Sequence, residues 1–126
     1  MAMILLVFEA YRRLIEFEAY LHRGNFPALY ERVRACTVRP VVRTPYSIEQ
    51  ICAAIDLALI WHWKEVLCLQ RSTATTCLLR RHGIAAEMVI GAQQMPFRAH
   101  AWVEVDGRVV NDKPYTPRIY AALDRC

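Results

Sequence analysis

At 126 residues the chain has the length of one ordinary domain, long enough for a single core and too short for two. An apolar fraction of 56% with 22% charged residues, 4 Gly and 6 Pro excludes a disordered, collagenous or low-complexity chain. The 16 basic and 12 acidic side chains leave a charge of +4 without any block of like charge, so nucleic acid is not implied, and Arg32, Arg34, Arg39 and Arg43 read as a solvated linker.

The apolar run Met1 to Phe8 has no basic residue ahead of it and ends at Glu9, so neither a signal peptide nor a membrane span is expected. Ile4, Val7, Phe8, Tyr11, Leu14 and Ile15 recur at helical spacing and predict an amphipathic helix to Leu21, stopped by Arg23-Gly24-Asn25. A shorter helix is expected over Pro27 to Ala35, then an extended linker from Thr37 to Tyr46, where Pro40 and Pro45 fall. Ser47 and Gln50 form a capping-box pattern, and Ile48, Ile51, Cys52, Ile55, Leu59 and Trp63 predict a helix over about 48–65.

A further helix is predicted from Cys68 to Arg81, because two arginines close it and Gly83 stands where a left-handed residue ends a helix. Its middle, Ser72-Thr73-Ala74-Thr75-Thr76, is small enough for another backbone to approach. Strands follow at Ala86 to Gly91, Ala99 to Val105 and Arg108 to Asn111, with a loop at Gln93 to Arg98 and Asp106-Gly107 as a turn. Thr116-Pro117 predicts a short terminal helix carrying Ile119, Tyr120 and Leu123. The expected fold is α+β: N-terminal helices, then a helix packed on a small antiparallel sheet.

The five cysteines include no CxxC pair, so a disulfide framework is not expected and a reducing cytoplasm fits. A nucleophilic thiol must be ionised, and a helix N-terminus favours the thiolate. Cys68 has that position, although position alone leaves open that it is a small buried hydrophobe. His100, at the start of a strand, is the candidate general base, and Asp112 the candidate group that fixes its tautomer.

Whether these two meet depends on the hairpin. A two-residue turn at Asp106-Gly107 sets Val105 opposite Arg108 and would send Asp112 to the far face of the ladder. A three-residue turn with a bulge sets Glu104 opposite Arg108 and His100 opposite Asp112, and the polar pattern favours it. His62, Cys68 and Cys77 match no trusted zinc spacing, and no metal or cofactor is expected.

Cys68-Leu69-Gln70-Arg71-Ser72, Leu78-Leu79-Arg80-Arg81-His82-Gly83-Ile84, Val89-Ile90-Gly91, Pro96-Phe97, His100-Ala101-Trp102-Val103-Glu104-Val105-Asp106-Gly107 and Val110-Asn111-Asp112 resemble the lasso peptide biosynthesis B2 proteins, leader peptidases of the transglutaminase-like, papain-related superfamily. The resemblance implies that Cys68, His100 and Asp112 form a Cys-His-Asp triad that removes the leader of a ribosomally made precursor peptide. It implies as partners that precursor, a separate leader-binding B1 protein and the lasso cyclase. The length gives a single domain over 1–126, with 1–46 a helical extension and linker; the resemblance covers about 48–126 and makes 47–126 the catalytic core. An acyltransferase using the same triad and a non-catalytic peptide-binding module stay open beside it. For the oxyanion, the Cys68 N–H and a side chain among Gln70, Gln93 and Gln94 are candidates, and Trp61, Trp63, Trp102, Met95 and Phe97 are candidates for an apolar groove.

Overall fold

A computed structural model describes residues 2–24, 26–39, 46–61, 68–94 and 96–126. The elements run α1 (Ala2–His22), α2 (Phe26–Ala35), α3 (Ile48–Trp61), α4 (Cys68–Arg81), β1 (Ala86–Gln94), β2 (Phe97–Val105), β3 (Arg108–Val109), α5 (Thr116–Ile119) and β4 (Ala121–Arg125). The strands form one antiparallel sheet in the order β3-β2-β1-β4. The architecture is α+β, as expected. No helix among the described residues is long and apolar enough to cross a membrane.

One core joins the two layers. Leu6, Ala10, Leu14 and Phe17 of α1 meet Ile51, Ala54, Ile55 and Ala58 of α3, Ala74, Leu78 and Leu79 of α4, and Met88, Val103 and Val105 of the sheet. Each helical set repeats at three- and four-residue spacing and so falls on one face. The face of α1 differs from the expected one: Ile4, Phe8 and Ile15 are exposed, and Leu6, Ala10 and Phe17 are buried instead. Residues 4–8 are apolar without a break, so their periodicity fixes the presence of a helix but not its orientation. Gln70, buried on α4, donates from Nε2 to the Leu14 carbonyl at 2.7 Å and ties α4 to α1.

Local signals set the helix ends. The Ser47 N–H donates to Gln50 Oε1 at 2.9 Å, and the Gln50 N–H donates to Ser47 Oγ at 3.1 Å, which is the reciprocal capping box at the start of α3. After α4, Gly83 takes φ +83°, its N–H donates to Arg80 O, and the Ile84 N–H reaches back to Leu79 O, so the orphan carbonyls of the last turn are satisfied. Residues 40–45 of the expected linker, with Arg43, lie outside the described residues. Arg32 and Arg34 belong to the last turn of α2 rather than to a linker.

The sheet departs from expectation in two places. β1 and β2 continue to Gln94 and from Phe97, replacing the expected loop at Gln93 to Arg98 with a tight connection. The terminal helix stops at Ile119, where Tyr120 is already extended, and β4 pairs with β1. The ladder runs on to Cys126, whose N–H and C=O both bond Met88.

Candidate active site

One buried polar staple joins the three parts of the chain that carry the candidate residues: α4, β2 and the segment after β3. Ser72 Oγ, on α4, donates to the Ala101 carbonyl of β2 at 3.0 Å. Asn111, beyond β3, donates from Nδ2 to Ser72 Oγ at 3.2 Å and accepts the Val103 N–H on Oδ1 at 2.8 Å. Each anchor adjoins a candidate in sequence: Cys68 lies one helical turn before Ser72 on the same face, His100 precedes Ala101, and Asp112 follows Asn111. The small residues of α4 are all buried, with the helix enclosed by α1, α3 and the sheet.

His100 Nε2 and Asp112 Oδ2 are hydrogen-bonded. The route to that contact differs from the expected one. Asp106 and Gly107 both have positive φ, 53° and 76°, and Val105 pairs with Arg108 while Glu104 pairs with Val109. This is the two-residue hairpin turn, not the bulged one. The pair forms nevertheless because the ladder ends at Val109. Asn111 then turns inward to bond Val103 and Ser72, and the departing chain delivers Asp112 to the ring edge.

The carboxylate is held from two sides. Its Oδ1 accepts the Lys113 N–H at 2.7 Å and its Oδ2 meets His100. Burial works against the charged form, but these hydrogen bonds outweigh it and hold the Asp112 carboxyl below the usual carboxylate range. An ionised carboxylate only accepts, so Nε2 carries the ring proton and Nδ1 is left free to take one from a thiol. Cys68 is half-buried at the first position of α4, and among the described residues no hydrogen bond joins it to His100.

Aromatic packing fixes the ring further. The His100 imidazole stacks on Tyr120, with centroids 5.0 Å apart, and on Trp102 at 6.1 Å. Trp102 is fully buried; its Nε1 donates to Glu104 at 2.8 Å, and Glu104 in turn accepts from Arg125 at 2.9 Å. Burial opposes the Glu104 charge, yet the bonds from Trp102 and Arg125 lower its carboxyl below the ordinary range. Gly91, opposite His100 in the register, leaves space for the indole: a Cβ there would stand 2.7 Å from Trp102. Sequence reasoning missed Tyr120, Glu104 and Arg125. Tyr120 was assigned to a helix, and Glu104 was paired with Arg108 in the wrong register.

Other expectations are corrected here. Gln70 is turned away from any substrate: it is buried, and its amide bonds the Leu14 carbonyl of α1. Trp102 is core rather than groove. Phe97 does line an open cleft of about 540 Å³ with Ile119, Tyr120 and Leu123, beside the stacked histidine. His62, Trp63 and Met95, like the side chain of Trp61, lie outside the described residues. Cys68 and Cys77 stand nine positions apart on α4, ~13 Å along its axis, too far to share one ion.

The staple predicts the effect of Asn111→Ala. It leaves the buried Val103 N–H and one side of Ser72 without partners, so stability should fall by about 1–3 kcal/mol. The His100–Asp112 contact should also loosen in protein that is still folded at low temperature. Chemical denaturation and the imidazole NMR signals of His100 on the same preparation check both.

A family profile for the transglutaminase-like superfamily matches residues 13–124. Among curated proteins, the chain is 41% identical over 61 residues to the microcin J25-processing protein McjB of Escherichia coli, a match covering 47% of this chain and 29% of that protein's length. No solved structure matches the chain significantly. The profile takes in nearly all of the fold, from within α1 to within β4, and with it every residue of the staple: the chain belongs to the transglutaminase-like superfamily.

Proposed function

We propose that this protein is a cysteine peptidase that removes the leader from a ribosomally synthesised lasso precursor peptide, with Cys68 as nucleophile, His100 as base and acid, and Asp112 as the orienting carboxylate. The observation that carries the reading is the His100–Asp112 pair, whose polarity leaves Nδ1 able to accept a thiol proton, held by a staple to the helix that begins at Cys68. The similarity to a microcin-processing protein supports the substrate class.

In this reading His100 Nδ1 takes the Cys68 proton, and the thiolate adds to the carbonyl at the leader–core junction. The N–H groups at the start of α4 face the developing oxyanion. The imidazolium then protonates the amine of the core, the C–N bond breaks, and water hydrolyses the thioester left on the leader. Asp112 stays ionised and stabilises the imidazolium throughout. The protein acts in the cytoplasm with a separate leader-binding B1 protein and ahead of a lasso cyclase. Its exposed α1 residues Ile4, Leu5 and Phe8 offer an apolar surface to that leader-binding protein.

Mass spectrometry of a lasso precursor incubated with this protein, with and without the leader-binding protein, tests the reading. Free leader and free core are expected. A leader joined to an added amine instead shows acyl transfer, and intact precursor in both incubations overturns the peptidase assignment.

A further inference from the structure

Away from the candidate active site, Cys36 and Cys77 face each other across the junction of α2 and α4. Cys36 follows the last residue of α2 and is 9% exposed, and Cys77, in the second half of α4, is 1% exposed. Both belong to the same buried cluster. Both line a pocket of about 270 Å³, several times the volume of a water molecule, whose other walls are mostly arginine: Arg13, Arg32, Arg39 and Arg81. Arg32 Nη1 donates to Cys36 Sγ at 3.1 Å. Arg13 is 6% exposed, and its buried Nε has no partner of its own.

A buried pair of cysteines needs no such surroundings if it only fills space. Here the charges are arranged for a sulfur anion. The neighbouring Cys77 thiol, with the Arg32 and Arg13 guanidinium groups, outweighs burial and holds the Cys36 thiol below its usual range. Glu16, which pairs with both Arg13 and Arg32, is the acidic group that works against the anion. Cys77 keeps its proton, held up by the neighbouring Cys36 thiol and by burial. Cys36 is therefore the thiol favoured as a nucleophile and Cys77 a protonated thiol on the same pocket, which suits an attacking and a resolving cysteine.

We propose that Cys36 and Cys77 form an oxidation site, in which a small hydroperoxide entering the arginine-lined pocket converts the two thiols into a disulfide between α2 and α4. The Cys36 thiolate attacks one peroxide oxygen; its S–O bond forms as the O–O bond breaks, and the released alkoxide or hydroxide takes up a proton. The sulfur of Cys77 then attacks the Cys36 sulfenic acid, forming the S–S bond and expelling hydroxide, which leaves as water with the Cys77 proton. Both thiols are oxidised by two electrons in total and one hydroperoxide is reduced. The bridge would clamp the helix whose first residue is Cys68.

The test treats the reduced full-length protein with hydrogen peroxide, quenches it, alkylates it in denaturant and maps peptides without reduction. Two of the five thiols should be lost, with the Cys36 and Cys77 peptides joined and both thiols restored by dithiothreitol. In Cys77→Ser the sulfenic acid should persist on Cys36 and be captured by dimedone; in Cys36→Ser no bridge should form and Cys77 should stay reduced. The wild-type map needs no variant to fold. Recovery of Cys36 and Cys77 as alkylated thiols under conditions that oxidise glutathione overturns the proposal, as does a bridge from either cysteine to a different partner.

Discussion

Cys68→Ala is expected to abolish leader cleavage, with a rate loss on the order of 10⁶-fold, the scale on which deleting a covalent nucleophile acts. The chemistry leaves few alternatives among the thiols. Burial pushes Cys52 up to about 11, aided by Asp56, and burial also raises Cys126, so neither supplies a thiolate near neutral pH. Cys77 holds its proton against Cys36. Cys36 does ionise readily, but it belongs to the pocket at the far end of α4, whereas Cys68 sits one turn from the serine that touches the strand of His100. Because the substitution removes a single sulfur from a half-buried helix start, stability should change by no more than about 1 kcal/mol. The comparison is therefore cleavage by Cys68→Ala against cleavage by Cys36→Ala, at matched thermal unfolding. Cleavage should vanish in the first and persist in the second, and the reverse outcome would sink the site assignment.

How far the sequence carried these conclusions depended on whether a feature was local. The C-terminal end of α4 was legible because Gly83 and the closing arginines act within a turn, and the start of α3 because Ser47 and Gln50 bond each other. The face of α1 was not, since Ile4 through Phe8 present apolar side chains in every direction and only the contact with α3 and α4 selects Leu6. β4 was missed for a related reason. Its five residues are all exposed and show no alternation; they are extended because β1, some thirty residues earlier, supplies a bare edge. For the candidate site, the nomination of His100 and Asp112 rested on residue type and order, and the structure brings them into contact. The register used to pair them was wrong, because it assumed a ladder extending to Asp112. Asn111 is what ends the ladder. Asn111 bonds Val103 and Ser72, and by turning inward it makes the two-residue hairpin compatible with the pair.

The second large effect is expected of Asp112→Asn, and the hydrogen bonds of the carboxylate decide its direction. Oδ1 accepts the Lys113 N–H, a backbone donor with a fixed position, while Oδ2 accepts from His100 Nε2. An asparagine has one oxygen and one nitrogen at these two places. If the oxygen stays with the Lys113 N–H, the NH₂ faces Nε2, which must then give up its proton and become the acceptor. The ring proton moves to Nδ1, the nitrogen that should receive the Cys68 proton, and the base is lost in the resting enzyme. The amide also carries no charge to stabilise the imidazolium. Together these should lower the cleavage rate by as much as ~10⁴-fold in a folded protein, the scale known for this change in a serine protease triad. Asp112→Ala provides the control, because it removes the orienter without imposing the wrong tautomer and should retain at least as much activity as the isosteric amide. If Asp112→Asn cleaves at the wild-type rate with an unchanged pH profile, the His100–Asp112 contact is structural, and the orienting role falls.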